Sequence, residues 1–197
     1  LLLPAGVAAA SDALDEIRAR GVLRYGCDQE GGGPYAYPDP ADPDGVAGFE
    51  AGLLDLLGRD IGVRAEPSQG QWDQLLNVLA TRNVDLVANG YEPSPARIRD
   101  FRPTRPYYVF QLQLMVAGGS KVRSWADLQE PKPGGGPWLV GVLGGSAAES
   151  FAREEQPGTV EVRAYTGATD AMPQVQTGKL DAALKDLQAA RFYAPQD

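Results

Sequence analysis

The chain has 197 residues, 43% hydrophobic and 22% charged, a globular composition with room for one domain or two small ones. Its 18 basic and 26 acidic residues leave a formal net charge of −8; this argues against nucleic acid and anionic membrane surfaces as partners and is compatible with a cationic or zwitterionic ligand. With no His and a single Cys, Cys27, the sequence excludes His-based catalysis, a His-ligated metal, an internal disulfide and a Cys-cluster zinc site, so neither cofactor nor metal is expected.

The first residue is Leu, not Met. Leu1-Leu2-Leu3-Pro4-Ala5-Gly6-Val7-Ala8-Ala9-Ala10 looks like the tail of a signal peptide: an apolar remnant, then small residues suited to cleavage near Ala10. An ordinary N-terminal tail is the alternative. No run is long enough to span a membrane. Apolar residues at 13, 14 and 17 predict a short amphipathic helix over 12–20, ended by Gly21. A strand over 22–27 follows, in which Cys27 reads as a small buried side chain. Residues 28–44 form a long loop rich in Gly, Pro and Asp, carrying Tyr35 and Tyr37; loops of this length are usually functional or disordered. A helix over 49–60, with apolar positions 49, 53, 54, 56 and 57, leads to a short strand over 63–67. Another helix spans 72–81, and an apolar run, 84–88, reads as a buried strand.

Beyond that strand lies Asn89-Gly90-Tyr91-Glu92-Pro93-Ser94-Pro95-Ala96-Arg97, a tight loop and the start of a helix over 95–100. Backbone N–H groups at a helix start attract anions, and an Arg beside them can grip a carboxylate with two parallel hydrogen bonds. The segment is either such a socket or a plain capped helix, with Ser94 as N-cap, Pro95 in first position and Arg97 solvated. The alternation in 111–116 predicts a half-buried strand, part of an extended crossover between two lobes. A short helix over 124–128, a Pro- and Gly-rich insert over 131–137 and a strand over 138–143 follow. Gly144-Gly145-Ser146 then opens a helix over 147–154. A strand over 160–164, a helix over 168–177, a strand over 180–184 and a helix beginning at 186 complete the chain.

Strands alternating with helices predict an α/β fold with mostly parallel sheets. The stretch 78–87 has a weak echo in 175–184, each a helix end, a turn, an Asp and an apolar strand, which suggests two lobes of similar build. In such sheets ligands bind beyond the carboxyl ends of strands. Four strand ends carry candidate groups: Asp28 and the Tyr35 loop; Gly90, Glu92, Ser94 and Arg97; Gly144, Gly145 and Ser146; and Lys185 with Asp186. An Arg, an anion nest and carboxylates together complement a zwitterion, and their division between two lobes predicts a cleft that closes on its ligand.

One ordered set of pieces spans nearly the whole chain: Arg20-Gly21-Val22-Leu23-Arg24-Tyr25-Gly26 with Asp28; Pro34-Tyr35; Gly45-Val46-Ala47-Gly48-Phe49-Glu50; Trp72 with Leu75 and Leu79; Asp85-Leu86-Val87; the segment from Asn89 through Arg97 to Phe101; and Pro106-Tyr107-Tyr108. In the second half come Trp125-Ala126-Asp127-Leu128, Val140-Gly141-Val142 with the Gly144-Gly145-Ser146 turn, and Lys179-Leu180-Asp181-Ala182-Ala183 with Asp186. In this order they resemble a family 3 extracellular solute-binding protein, the polar amino acid receptor of an ABC import system.

The resemblance implies a two-lobed periplasmic-binding-protein-like fold of type II. Residues 1–10 would be a signal remnant, 11–110 lobe 1, 111–185 lobe 2 and 186–197 the start of the return to lobe 1. Because the chain ends there, an incomplete first lobe with exposed apolar surface is expected. It also implies roles: Arg97, Ser146 and the Gly145 turn for the ligand's α-carboxylate, Asp186 for its ammonium, Tyr35 and Trp72 sandwiching its side chain, and Asp28 facing that side chain's polar end. Two residues depart from the pattern. Glu92 stands where the family usually has a small hydroxyl residue, so it either pairs with the ligand's ammonium or pairs with Arg97 and competes with the ligand. The Gly31-Gly32-Gly33 loop is also longer and barer than usual.

The expected function is capture of a polar amino acid, with a lean towards basic ones, in the periplasm or outside the cell. The ligand would pass to an ABC transporter permease, which could be fused to the chain. No catalysis is expected. The alternatives are a sensing module of a larger membrane protein and a periplasmic dehydratase-like enzyme on the same scaffold, for which Glu92 would be the candidate acid.

Overall fold

The computed structural model describes residues 5–109, 111–156 and 158–194, with the side chains described from residue 13 onward. Leu1–Pro4 of the expected signal remnant and the last three positions, 195–197, lie outside the described residues. The chain divides into two compact units, one up to Asn89 and one from Gly90.

In the first unit, helix α1 (Ala5–Arg20) leads into strand β1 (Val22–Cys27). Two short strands follow, β2 (Tyr37–Pro38) and β3 (Val46–Ala47), then helix α2 (Phe49–Ile61) and strand β4 (Arg64–Gln69). A 3-10 turn over Trp72–Gln74, helix α3 (Leu75–Ala80) and strand β5 (Leu86–Val87) complete the unit. The sheet has the order β4-β1-β5 and is parallel throughout. Its core joins Tyr25, Cys27, Ala36, Leu54 and Ala88. Cys27 is a free, buried thiol that its surroundings push up to about 12, chiefly by desolvation. That is an inert core residue rather than a nucleophile.

The second unit starts with helix α4 (Pro95–Asp100) and strand β6 (Leu112–Val116). A 3-10 turn over Trp125–Gln129 precedes strand β7 (Trp138–Leu143), helix α5 (Ala147–Glu154) and strand β8 (Val160–Tyr165). Helix α6 (Ala171–Gln176), strand β9 (Ala182–Asp186) and helix α7 (Leu187–Tyr193) follow. The sheet order is β6-β9-β7-β8; β9, β7 and β8 run parallel and β6 antiparallel to β9. Leu128, Val140, Val142, Ala152 and Ala182 form the centre of its core.

Each sheet fixes its central strand with the same device. In the first unit Asp85 accepts the Arg24 N–H at 2.8 Å, returns its own N–H to the Arg24 carbonyl at 2.9 Å and pairs with Arg20 at 2.5 Å. In the second, Asp181 accepts the Leu139 N–H at 2.8 Å, donates its N–H to the Leu139 carbonyl at 2.9 Å and pairs with Lys132 at 2.7 Å. The internal echo in the sequence is therefore a repeated aspartate clamp beside β1 and β7. The turn ahead of each clamp needs a left-handed residue. Gly178 supplies it at φ 72° without steric cost, while Arg82 supplies it at φ 57° with a side chain attached.

Several elements differ in extent from the sequence expectation. The first helix reaches back to Ala5, through residues expected to belong to a signal remnant. The strand expected over 84–88 is only Leu86–Val87, although the Asp85 and Ala88 N–H groups on either side of it also bond to β1, to the Arg24 carbonyl at 2.9 Å and the Gly26 carbonyl at 3.1 Å. The strand expected over 180–184 shifts to Ala182–Asp186. Leu180 is tied to the carbonyl of Gln174 at 3.0 Å, while pairing with β6 carries the ladder on to Asp186. Lys185 and Asp186 thus lie in the strand rather than beyond it. The helix expected over 168–177 is confined to Ala171–Gln176. On α2 the buried positions are Glu50, Ala51, Leu54 and Gly58, and of the apolar positions named from the sequence Phe49, Leu53, Leu56 and Leu57 are exposed.

Candidate functional site

In the second unit a carboxylate already occupies the predicted anion socket, and it belongs to Glu92. One Glu92 oxygen accepts the backbone N–H of Ala147, the first residue of α5. The other pairs with Arg97 Nη1 at 2.8 Å, both side chains being largely buried. Arg97 Nη1 also donates to the Glu92 carbonyl at 2.9 Å, and Nη2 donates to the Gly145 carbonyl at 2.7 Å. The guanidinium lies 4.9 Å from the centroid of the Tyr91 ring, a cation–π arrangement that holds its plane.

The local sequence explains this geometry. Ser94 accepts the Arg97 N–H at 3.2 Å as N-cap of α4, with Pro95 in first position. Arg97 therefore leaves the first helical turn facing back over the loop that carries Glu92. Gly145 takes φ 74°, a conformation that suits Gly and turns the chain from β7 into α5. Ser146 caps α5 by accepting the Glu149 N–H at 3.3 Å and donates its hydroxyl to the Leu143 carbonyl at 2.7 Å. Glu149 takes the Gly145 N–H at 2.7 Å and is pinned by Arg153 at 2.8 Å.

Other predicted residues of this unit have structural partners of their own. Asp186 accepts the Ala189 N–H at 2.8 Å as N-cap of α7. Its neighbour Lys185 donates to the Ala168 carbonyl at 3.0 Å and lies 5.3 Å from the Tyr193 ring centroid. Burial pushes the Lys185 ammonium down to about 8, with the Asp186 charge acting the other way. Gly90 opens the unit at φ 67°.

In the first unit Asp28 and Trp72 are bonded to each other. Asp28 is 1% exposed and accepts the Trp72 N–H at 3.2 Å, the Glu30 N–H at 3.0 Å and Gln69 Nε2 at 3.1 Å. Burial pushes its carboxyl above the ordinary aspartate range, while the bonds from Gln69, Glu30 and Trp72 pull it back. The Trp72 indole N–H donates to the Asn89 carbonyl at 2.9 Å. Tyr35 is buried with its ring centroid 5.3 Å from that of Phe49. Asp28 thus positions the turn that carries Trp72, and both aromatic residues are largely enclosed.

Two participants were not singled out from the sequence. Glu149 had a signal, the Ser146-x-x-Glu149 spacing of a capping box, although its carboxylate reaches Gly145 rather than Ser146. Tyr91 had none beyond being an aromatic next to Glu92. Among the described residues no group of three or more Cys, Asp or Glu is placed to hold a metal ion, and no helix is long and apolar enough to cross a membrane.

Two α/β units with largely parallel sheets, the second bringing an arginine and a helix start together on one carboxylate, fit the architecture of a solute-binding protein. Residues 23–160 match the model of the bacterial extracellular solute-binding proteins, family 3, and the chain belongs to that family. The crystal structure of an ancestral amino acid-binding protein, a precursor of cyclohexadienyl dehydratase, is similar at a TM-score of 0.79 and 29% identity, covering 91% of this chain and 76% of that one. The L-cystine-binding protein TcyJ of Escherichia coli K12 is 29% identical over 180 residues, 90% of this chain and 63% of its own length. The L-arginine-binding protein of Pseudomonas aeruginosa is 29% identical over 146 residues, 73% of this chain and 54% of its own length. The chain thus spans less than two thirds of these curated relatives.

Proposed function

We propose that the protein binds a polar amino acid, with a lean towards basic ones, outside the cytoplasm and delivers it to an ABC transporter permease, without catalysing a reaction. The observation that carries this reading is the convergence of Arg97 and the Ala147 N–H on a single carboxylate. A group pair that holds the Glu92 carboxylate has the charge, the donors and the spacing to hold an amino acid's α-carboxylate. The net charge of −8 favours approach of a cationic ligand, and relatives named for cystine and arginine support the ligand class.

A thermal-shift screen of the common amino acids tests the reading, since a ligand bound only by the folded state raises its stability. Calorimetry with the best ligand should then give an Arg97→Ala variant weaker by about 2–5 kcal/mol, roughly 30-fold to several thousand-fold in Kd. Unchanged affinity in that variant would remove Arg97 from the site and with it the basis of the reading.

A further inference from the structure

We propose that Glu92 is a tethered competitor: an amino acid reaches Arg97 and the α5 N-terminus only by displacing the Glu92 side chain, so this residue sets the affinity of the site and rejects ligands that offer nothing beyond a carboxylate. The proposal rests on the amino-acid reading given above.

Three backbone donors at the turn into α5 are already in use. The Ala147 N–H goes to Glu92, the Gly145 N–H to Glu149 at 2.7 Å and the Ser146 N–H to the Leu143 carbonyl at 3.3 Å. On Arg97, Nη1 serves both the carboxylate and the carbonyl of Glu92, and Nη2 serves Gly145. An incoming carboxylate that takes these donors must therefore evict one already present.

Of the two candidates, Glu92 is the one that exchanges. Glu149 stands within α5 and is held by two Arg153 nitrogens, each at 2.8 Å. Glu92 sits in the loop ahead of α4, and both of its oxygens are spent on the groups a ligand carboxylate would use.

Charge points the same way. With Glu92 in place the pair it forms with Arg97 is neutral, so the socket exerts little net pull on a distant anion. The exchange swaps one carboxylate for another on the same donors, so the cost of evicting Glu92 is subtracted from what Arg97 and the Ala147 N–H give the ligand. A ligand that adds contacts through its ammonium and side chain overcomes that cost more readily than a bare carboxylate. If the tether keeps the socket closed nine times in ten, the apparent affinity is about a tenth of the intrinsic one, because the competent fraction divides the binding constant.

The test compares the full chain with its Glu92→Ser and Glu92→Gln variants. All three are screened with the common amino acids by thermal shift, then titrated by calorimetry with the best ligand and with that ligand's decarboxylated amine. Glu92→Ser should bind the amino acid about tenfold tighter or more and leave the affinity for the amine unchanged. Glu92→Gln keeps the size and hydrogen-bonding reach of the side chain but loses its charge. It should tighten binding in the same sense, and it carries the comparison if the Ser variant does not fold. Amino-acid affinity that is unchanged or weaker in the variants would overturn the proposal and leave the amino-acid reading standing. Equal tightening of the amine would also overturn it. If no amino acid stabilises the wild type or either variant, the amino-acid reading falls and the proposal with it.

Discussion

Lys185→Met isolates what it costs to hold an ammonium inside the second unit. Burial lowers Lys185 from 10.5 to about 8, and each unit is worth about 1.4 kcal/mol, so the charged form opposes folding by about 3 kcal/mol at neutral pH. Between about pH 8 and pH 10.5 the unfolded chain binds more protons at this position than the folded one. Stability attributable to Lys185 therefore rises with pH through that window. Tyr25 and Cys27 act oppositely. Both are raised by burial, Cys27 from 9.0 to about 12, so the stability they contribute is present at neutral pH and lost as the solution becomes alkaline. Because the Met variant keeps both residues, subtracting the two pH profiles removes them. At neutral pH the gain from deleting the charge is offset by loss of its bond to the Ala168 carbonyl, worth about 1.5–3 kcal/mol for a charged donor. The slope is consequently the readout. Urea unfolding of both proteins at about pH 7 and pH 10 should show the stability of Lys185→Met relative to wild type falling by about 2–3 kcal/mol. A difference that stays constant to within about 1 kcal/mol would mean that the amine is solvated and the burial argument wrong.

Other perturbations address the clamps, the turn and the aromatic residues. Asp181→Ala removes the acceptor of the Leu139 N–H and the partner of Lys132, and should lower urea-unfolding stability by about 1–3 kcal/mol; a neutral result would show that water takes over the clamp. Arg82→Gly relieves a left-handed arginine and should raise stability by about 0.5–1 kcal/mol, whereas a loss of stability would deny any strain at that turn. Trp72→Phe deletes the indole bond to the Asn89 carbonyl and should cost about 1 kcal/mol in thermal unfolding; an unchanged midpoint would make that bond dispensable.

Local signals in the sequence transferred well to the structure. Ser94 before Pro95 marked the start of α4, and Ser146 after a Gly pair marked the start of α5, because a cap is decided by its own few residues. The β7 run also kept its bounds, since its apolar side chains are buried between neighbours on both sides. What escaped was decided at a distance. The turn at Trp72 is 3-10 rather than α-helical, and its first N–H is met by Asp28, 44 positions earlier. The seat of Glu92 depends on an N–H that is 55 positions away; the sequence could pose pairing with Arg97 as one alternative but could not choose it. The pairing of β2 with β3 was missed because each has only two residues, too few for any periodicity to register.

The strand order of the second sheet also governs when it can be finished. β6 is synthesised before β7 and β8, yet its neighbour in the ladder is β9, the last strand described. As the polypeptide emerges, β7 and β8 can pair at once, while β6 must wait with its hydrogen-bonding edge open until Ala182–Asp186 has been made. During that interval Leu112, Leu114 and Val116, which later pack against the core, form a strand-ready segment of the kind that invites wrong pairing. Completion of this sheet thus depends on one short, late-made strand, and a nascent chain halted before Ala182 would carry its β6 segment unpartnered.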